Sequence, residues 1–203
     1  YQKDRKNSEA KMNNTYKENI SAEEIKELDL SWFEGEIVLV DTFQIFQEVF
    51  PRLLRSKVLG FDTETKPSFK KGNKNSVSLI QLASSELACL IRINKIGIPD
   101  ELVSLLSNPS IIKTGVAIHD DIKLLTSVRK FTPAGFIDLQ TFVKDYGIES
   151  SGLKKLTAIV LGFRISKRQQ VTDWEAVQLS EAQQISAATD AWVCTQIYNK
   201  LLL

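Results

Sequence analysis

The chain has 203 residues, 43% hydrophobic and 25% charged, and a formal net charge of +1. That length supports one well-filled core, and the near-neutral balance leaves any attraction to phosphate to local patches. Two distant cysteines, Cys89 and Cys194, argue against a disulfide framework or a Cys-x-x-Cys zinc site, and a single histidine, His119, excludes a histidine-rich metal centre. No run approaches the roughly 18 apolar residues that would suggest a membrane span. The polar start carries no signal-peptide core, so the default address is cytoplasmic by absence of targeting signals. The two Asn-x-Ser/Thr patterns at Asn13 and Asn19 are read as chance on the same ground.

Residues 1–33 are rich in Lys, Glu, Asn and Ser and read as a flexible or peripheral arm, with a short helix at Ala22–Leu30. Residues 34–203 read as a single domain. Glu36–Val40 is a predicted strand, and Thr42–Arg55 carries apolar residues at helical spacing. Val58–Asp62 is an apolar strand running into acids, followed by a basic loop, Lys66–Asn75. Val77–Ala83 and Leu87–Ile93 form a predicted hairpin about Ser84-Ser85-Glu86. A short helix at Glu101–Leu106, a strand at Ile111–Ile118, a helix at Ile122–Val128 and a short strand at Phe136–Leu139 follow. The remainder is predicted mostly helical, with Ser180 and Gln183 forming a capping box that opens the last helix. Strands early and helices late predict a mixed α/β sheet with helices on both faces.

Three acidic segments stand out. In Phe61-Asp62-Thr63-Glu64-Thr65, residues i and i+2 of a strand share a face, so Asp62 and Glu64 sit side by side. Like charges that close are costly without a cation between them, and oxygen donors suit hard ions such as Mg²⁺ or Mn²⁺. The plainer reading is an exposed acidic turn. The second segment ends in His119-Asp120-Asp121, where either aspartate could simply cap a helix. The third, Ala187-Ala188-Thr189-Asp190-Ala191-Trp192, places a carboxylate well inside a helix, in a salt bridge or turned to a site.

In order and spacing these segments resemble the three Exo motifs of the DEDD 3′–5′ exonucleases, with the ribonuclease D and Werner-type branch the nearest in look. SLIQLAS and TDWEAVQLSEAQQ add to the resemblance, which covers about Val58 to Leu201. It implies a ribonuclease H-like fold and two divalent cations, Mg²⁺ or Mn²⁺, held by Asp62, Glu64, Asp121 and Asp190. Asp62 would bridge both ions, Glu64 and Asp190 would complete one site, and Asp121 would hold the other. Asp121 is preferred to Asp120 because Ile122, Leu124 and Leu125 follow it as the family's helix does. The implied reaction is phosphodiester hydrolysis from a single-stranded 3′ end of DNA or RNA, releasing nucleoside monophosphates.

The chain departs from the family at one place. The tyrosine branch has a Tyr four residues before the final Asp, where this chain has Ser186; the histidine position five residues before is Ile185. Three outcomes stay open: Ser186 acts through an extra water, activity is weak, or the chain carries a substitution there. His119 is read as structural or exposed rather than as a replacement base. Lys66, Phe69, Lys70, Lys71 and Lys74, in the loop after the acids, are candidates to track a phosphate backbone and stack on a base. Lys154, Lys155, Arg164, Lys167 and Arg168 form a weaker basic cluster, and Trp174 is read as core. Two rival functions stand beside the exonuclease: a weakened exonuclease-fold protein that binds nucleic acid, and a metal-dependent phosphoesterase acting on small nucleotides. No sequence feature calls for a protein partner or a membrane.

Overall fold

The computed structural model describes residues 16–65, 77–169 and 171–203. The basic loop with Lys66, Phe69, Lys70, Lys71 and Lys74 lies outside them, as does the start of the polar arm. In chain order the helices and strands are α1 (Ala22–Lys26), β1 (Glu36–Val40), α2 (Phe43–Leu53), β2 (Val58–Thr65), β3 (Val77–Ala83) and β4 (Leu87–Ile91). Then come α3 (Ile93–Ile96), α4 (Asp100–Leu106), β5 (Ile112–Gly115), α5 (His119–Val128) and β6 (Phe136–Asp138). The chain closes with α6 (Leu139–Phe142), a 3₁₀ turn (Val143–Tyr146), α7 (Leu153–Leu156), a π-helical turn (Thr157–Leu161) and α8 (Glu181–Leu201).

The six strands lie in the order β1-β4-β3-β2-β5-β6. β2, β3 and β4 run antiparallel to their neighbours within that trio, while β1 on β4 and β5 and β6 beyond β2 are parallel. This is the mixed sheet expected from the strand-then-helix pattern. Period-2 alternation divides its two faces. Leu59, Phe61, Ile80 and Leu82 pack with Phe46, Leu53, Leu102 and Leu125 from α2, α4 and α5. Leu79, Ala83, Ala88 and Leu90 pack against Ala187, Ala188 and Ala191 of α8. The other side of α8, with Val193, Cys194 and Ile197, covers the helical turns from Leu139 to Val160.

Side chains that terminate elements are legible locally. Thr42 caps α2 by accepting from the Ile45 amide, and Ser180 with Gln183 forms the capping box of α8. Other expectations need correction. The first helix stops at Lys26, four residues short of Leu30, and the strand expected to reach Ile118 ends at Gly115. Neither Asp120 nor Asp121 is the cap of α5: Ile118 occupies that position, and both aspartates lie in the first turn. The described residues between the π turn and α8 are irregular rather than helical.

Small residues set how closely α8 approaches the sheet. Gly60 shares a face with Asp62, and a β-carbon there would lie 1.7 Å from the Ala191 carbonyl oxygen and 2.8 Å from Thr195 Oγ1. Thr195 in turn donates to the Ala83 carbonyl at 2.7 Å. Gly60→Ala is therefore expected to cost at least about 3 kcal/mol, since backbone on both sides would have to part. A urea denaturation midpoint close to that of the native chain would show that α8 can move away at little cost.

Candidate active site

Three elements supply the acids: β2 carries Asp62 and Glu64, α5 carries Asp121 and α8 carries Asp190. β2 pairs with β5 only over Val58–Gly60, so its acidic half continues past the end of β5. Asp62 and Glu64 point to the α8 face, the face shared with Gly60. Since α8 crosses Gly60 at Ala191, the preceding residue, Asp190, arrives beside Asp62. Asp190 is buried, and its Oδ1 has no hydrogen-bond partner.

Asp121 comes from the other direction. Thr63 points to the opposite face of β2, and its hydroxyl donates to Asp121 Oδ1 at 2.5 Å. α5 is aimed there by a tight turn. A β-carbon at Gly115 would lie 2.4 Å from the Phe61 carbonyl oxygen. Ala117 takes a left-handed conformation (φ 58°), and its amide donates to Asp138 Oδ1 at 3.1 Å. A non-glycine residue in that region carries backbone strain. Asp120 and His119 are both exposed, whereas Asp121 is partly buried and tied to β2 through Thr63.

The electrostatics reflect this crowding. Burial, then the charge of Asp190, pushes the Asp62 carboxyl up to about 7. Burial, then the charge of Asp62, pushes Glu64 up to about 9. Burial also raises Asp121 despite the Thr63 hydrogen bond, and raises Asp190 against the pull of Lys167. The sequence did not single out Lys167 for this role, placing it only in a basic cluster. Its Nζ sits 2.6 Å from Asp190 Oδ2. Local sequence could not show this, because the pairing spans 23 residues and an irregular segment.

Among the described residues, no group of three or more His, Cys, Asp or Glu side chains is arranged to hold a metal ion. The donor chemistry nonetheless suits one. The carboxylates repel each other, their oxygens are hard donors, and Asp190 Oδ1 is buried and unpartnered. Gln81 sits directly across from Asp62 on β3, fully buried, with neither amide atom hydrogen-bonded.

Ser186 lies one helical turn before Asp190 on α8, half-buried. It lines an apolar cavity of about 240 Å³ together with Trp32, Ser166, Gln169, Ile185 and Thr189. Trp174 is buried in the core between β3, β4 and α8, as expected. Lys154, Arg164 and Arg168 border a separate surface hollow that also takes in Lys167. No helix among the described residues is long and apolar enough to cross a membrane.

Comparison with known proteins gives this arrangement a family. Residues 37–203 match the family model described as "3'-5' exonuclease". The chain is 34% identical, over an alignment of 186 positions that covers 83% of it, to the mouse bifunctional 3′–5′ exonuclease/ATP-dependent helicase WRN, of which the match covers 13%. The chain thus spans a small part of that relative. Among solved structures, the Aedes aegypti Nibbler EXO domain superposes with a TM-score of 0.75 at 23% identity, covering 84% of this chain and 90% of that one. Escherichia coli RNase D, an exoribonuclease involved in structured RNA processing, gives 0.72 at 26% identity, covering 82% and 44%. From the ordered acidic motifs, the mixed sheet and these matches, the chain belongs to the DEDD-type 3′–5′ exonucleases, phosphodiester hydrolases of the ribonuclease H-like fold.

Proposed function

We propose that the chain is a divalent-metal-dependent exonuclease that shortens single-stranded 3′ ends of DNA or RNA and releases nucleoside monophosphates. The observation that carries this reading is the meeting of Asp62 and Glu64 on one face of β2 with the buried, half-unpartnered Asp190 of α8. Asp62, Glu64 and Asp190 would hold the cations from the α8 face, and Asp121 from the far side. Divalent ions held there would supply Lewis-acid activation of water and stabilisation of the departing oxygen. The chain's own contribution is positioning. Thr63 fixes the orientation of Asp121, and the Gly60–Ala191 approach fixes the distance between Asp190 and β2. Ser186 presents its hydroxyl on the same helix face as Asp190. Lys66, Phe69, Lys70, Lys71 and Lys74 follow directly on the acid-bearing end of β2 in sequence, where backbone contact and stacking would serve a substrate.

RNA enters the proposal through the likeness to Escherichia coli RNase D, an exoribonuclease, and DNA is kept because metal-held carboxylates act on the phosphodiester that both nucleic acids share. One observation favours a second reading, a weakened nuclease that mainly binds nucleic acid. Ser186 stands at the sequence position of the family's tyrosine, and its short side chain lines an apolar cavity that none of the four acids borders. The test uses a 3′-overhang DNA and a single-stranded RNA, each labelled at its 5′ end, with Mn²⁺, Mg²⁺ or chelator. The expected result is a ladder shortening from the 3′ end that chelator abolishes. Retention of both substrates without a ladder, by a chain that binds Mn²⁺, would favour the second reading.

A further inference from the structure

Lys167 holds a position that the exonuclease reading leaves unexplained. Its segment is pinned at both ends. On one side, the Arg164 amide donates to the Asp29 carbonyl and the Ser31 amide donates to the Arg164 carbonyl, both at 2.9 Å. On the other, the Gln183 side-chain Nε2 donates to Thr172 Oγ1 and to the Asp173 carbonyl, both at 3.1 Å. From this fixed backbone the lysine reaches into the acids and pairs with Asp190 Oδ2 at 2.6 Å. Asp190 keeps 6% of its side-chain surface exposed, whereas Lys167 keeps 31%. The aspartate is therefore trapped and the lysine is not. Its four-carbon stem gives the ammonium a route to water while the backbone stays in place.

A divalent cation drawn to Asp190 and Asp62 would meet an ammonium already on the same carboxylate. Two cations within a few ångströms of one another repel strongly in a partly desolvated site. One of them has to yield, and Lys167 is the one with an exit. We infer that Lys167 is a built-in counter-ion of Asp190, holding this carboxylate when the divalent cation is not bound and competing with the cation for it. The inference rests on the reading of the four acids as metal ligands. It makes Lys167 a positioning residue that acts through Asp190. By linkage, whatever metal binding does to the Lys167–Asp190 pair, the pair does in reverse to metal binding.

The test is titration calorimetry of the metal-free full chain with Mn²⁺ alone, comparing native, Lys167→Met and Lys167→Arg forms. Lys167→Met is expected to bind Mn²⁺ on the order of tenfold more tightly, because a competing charge is gone. Lys167→Arg keeps the charge and is expected to retain weak, native-like affinity. A lysine that only braces the fold would leave the affinity unchanged or lower it, and either result for Lys167→Met overturns the inference while leaving native metal binding intact. Absence of Mn²⁺ binding in all three forms would overturn the metal reading and this inference together. Should Lys167→Met fail to fold, reductive methylation of the native chain gives the answer. Mn²⁺ is expected to raise labelling of Lys167 severalfold, and labelling that ignores Mn²⁺ overturns the inference.

Discussion

Asp62→Ala and Asp190→Ala are each expected to abolish metal-dependent digestion, with a loss on the order of a thousandfold, because on the proposed reading each removes a metal ligand. The same variants carry an internal control against misfolding. In the metal-free native chain, burial and mutual repulsion hold Asp62 near 7 and Glu64 near 9. Folded-state values raised above the ordinary carboxylate range mean that the folded chain binds more protons than the unfolded one. Stability contributed by these groups is thus full at acidic pH and falls as pH rises from the ordinary range through 7 to 9. Removing Asp62 relieves Glu64 of its neighbouring charge. Asp62→Ala is expected to melt at a higher temperature than the metal-free native chain at pH 8, while losing activity. Full digestion by a clean preparation would sink the site assignment. Lost digestion with a lowered melting temperature would mean that Asp62 also supports the fold.

Ser186→Tyr is expected to raise the rate of digestion on the order of 100-fold, the low end of what a well-placed group that orients or accepts a proton contributes. The structural argument is one of space. The cavity beside Ser186 is lined by Trp32, Ile185 and Thr189, with Ala182 one turn earlier on α8. That space leaves room for a bulkier side chain at position 186, and the position lies one turn before Asp190 on the same helix face, from which a phenol hydroxyl can be directed to the acids. Ser186→Phe supplies the ring without the hydroxyl and is expected to give no increase. Equal rates for Ser186→Tyr and the native chain would mean that water is positioned by another group. Equal gains from Tyr and Phe would assign the effect to packing.

The two variants probe different parts of the site, and the structure explains why they differ in legibility. Asp62 and Glu64 could be read from five residues, because strand alternation alone puts them on one face. Asp190 stood out because a carboxylate inside a helix, among alanines, caps nothing. The preference for Asp121 over Asp120 came from the apolar residues that follow it, and in the structure Asp121 is the one tied to β2 through Thr63. The expectation that either aspartate caps α5 failed, because the chain turns into the helix through Ala117 in a left-handed conformation, leaving Ile118 at the cap.

Properties carried by local period and by short-range hydrogen bonding could be read directly from the order of residues. These include the strands that alternate or run apolar, the capping box at Ser180, the acids on β2 and the serine in place of a tyrosine. Tertiary structure alone decided which distant residues meet. Gly60 lets α8 come down beside β2, which brings Asp190 to Asp62 across 128 residues of sequence (190 − 62). Lys167 reaches Asp190 only because Arg164 is fastened to the Asp29–Ser31 segment and Gln183 holds the turn before α8. The cavity at Ser186 exists because Leu30 and Trp32 wall it from a segment more than 150 residues away. Such contacts depend on backbone approach distances and on the burial of charge. Neither has a signature within a few residues of sequence.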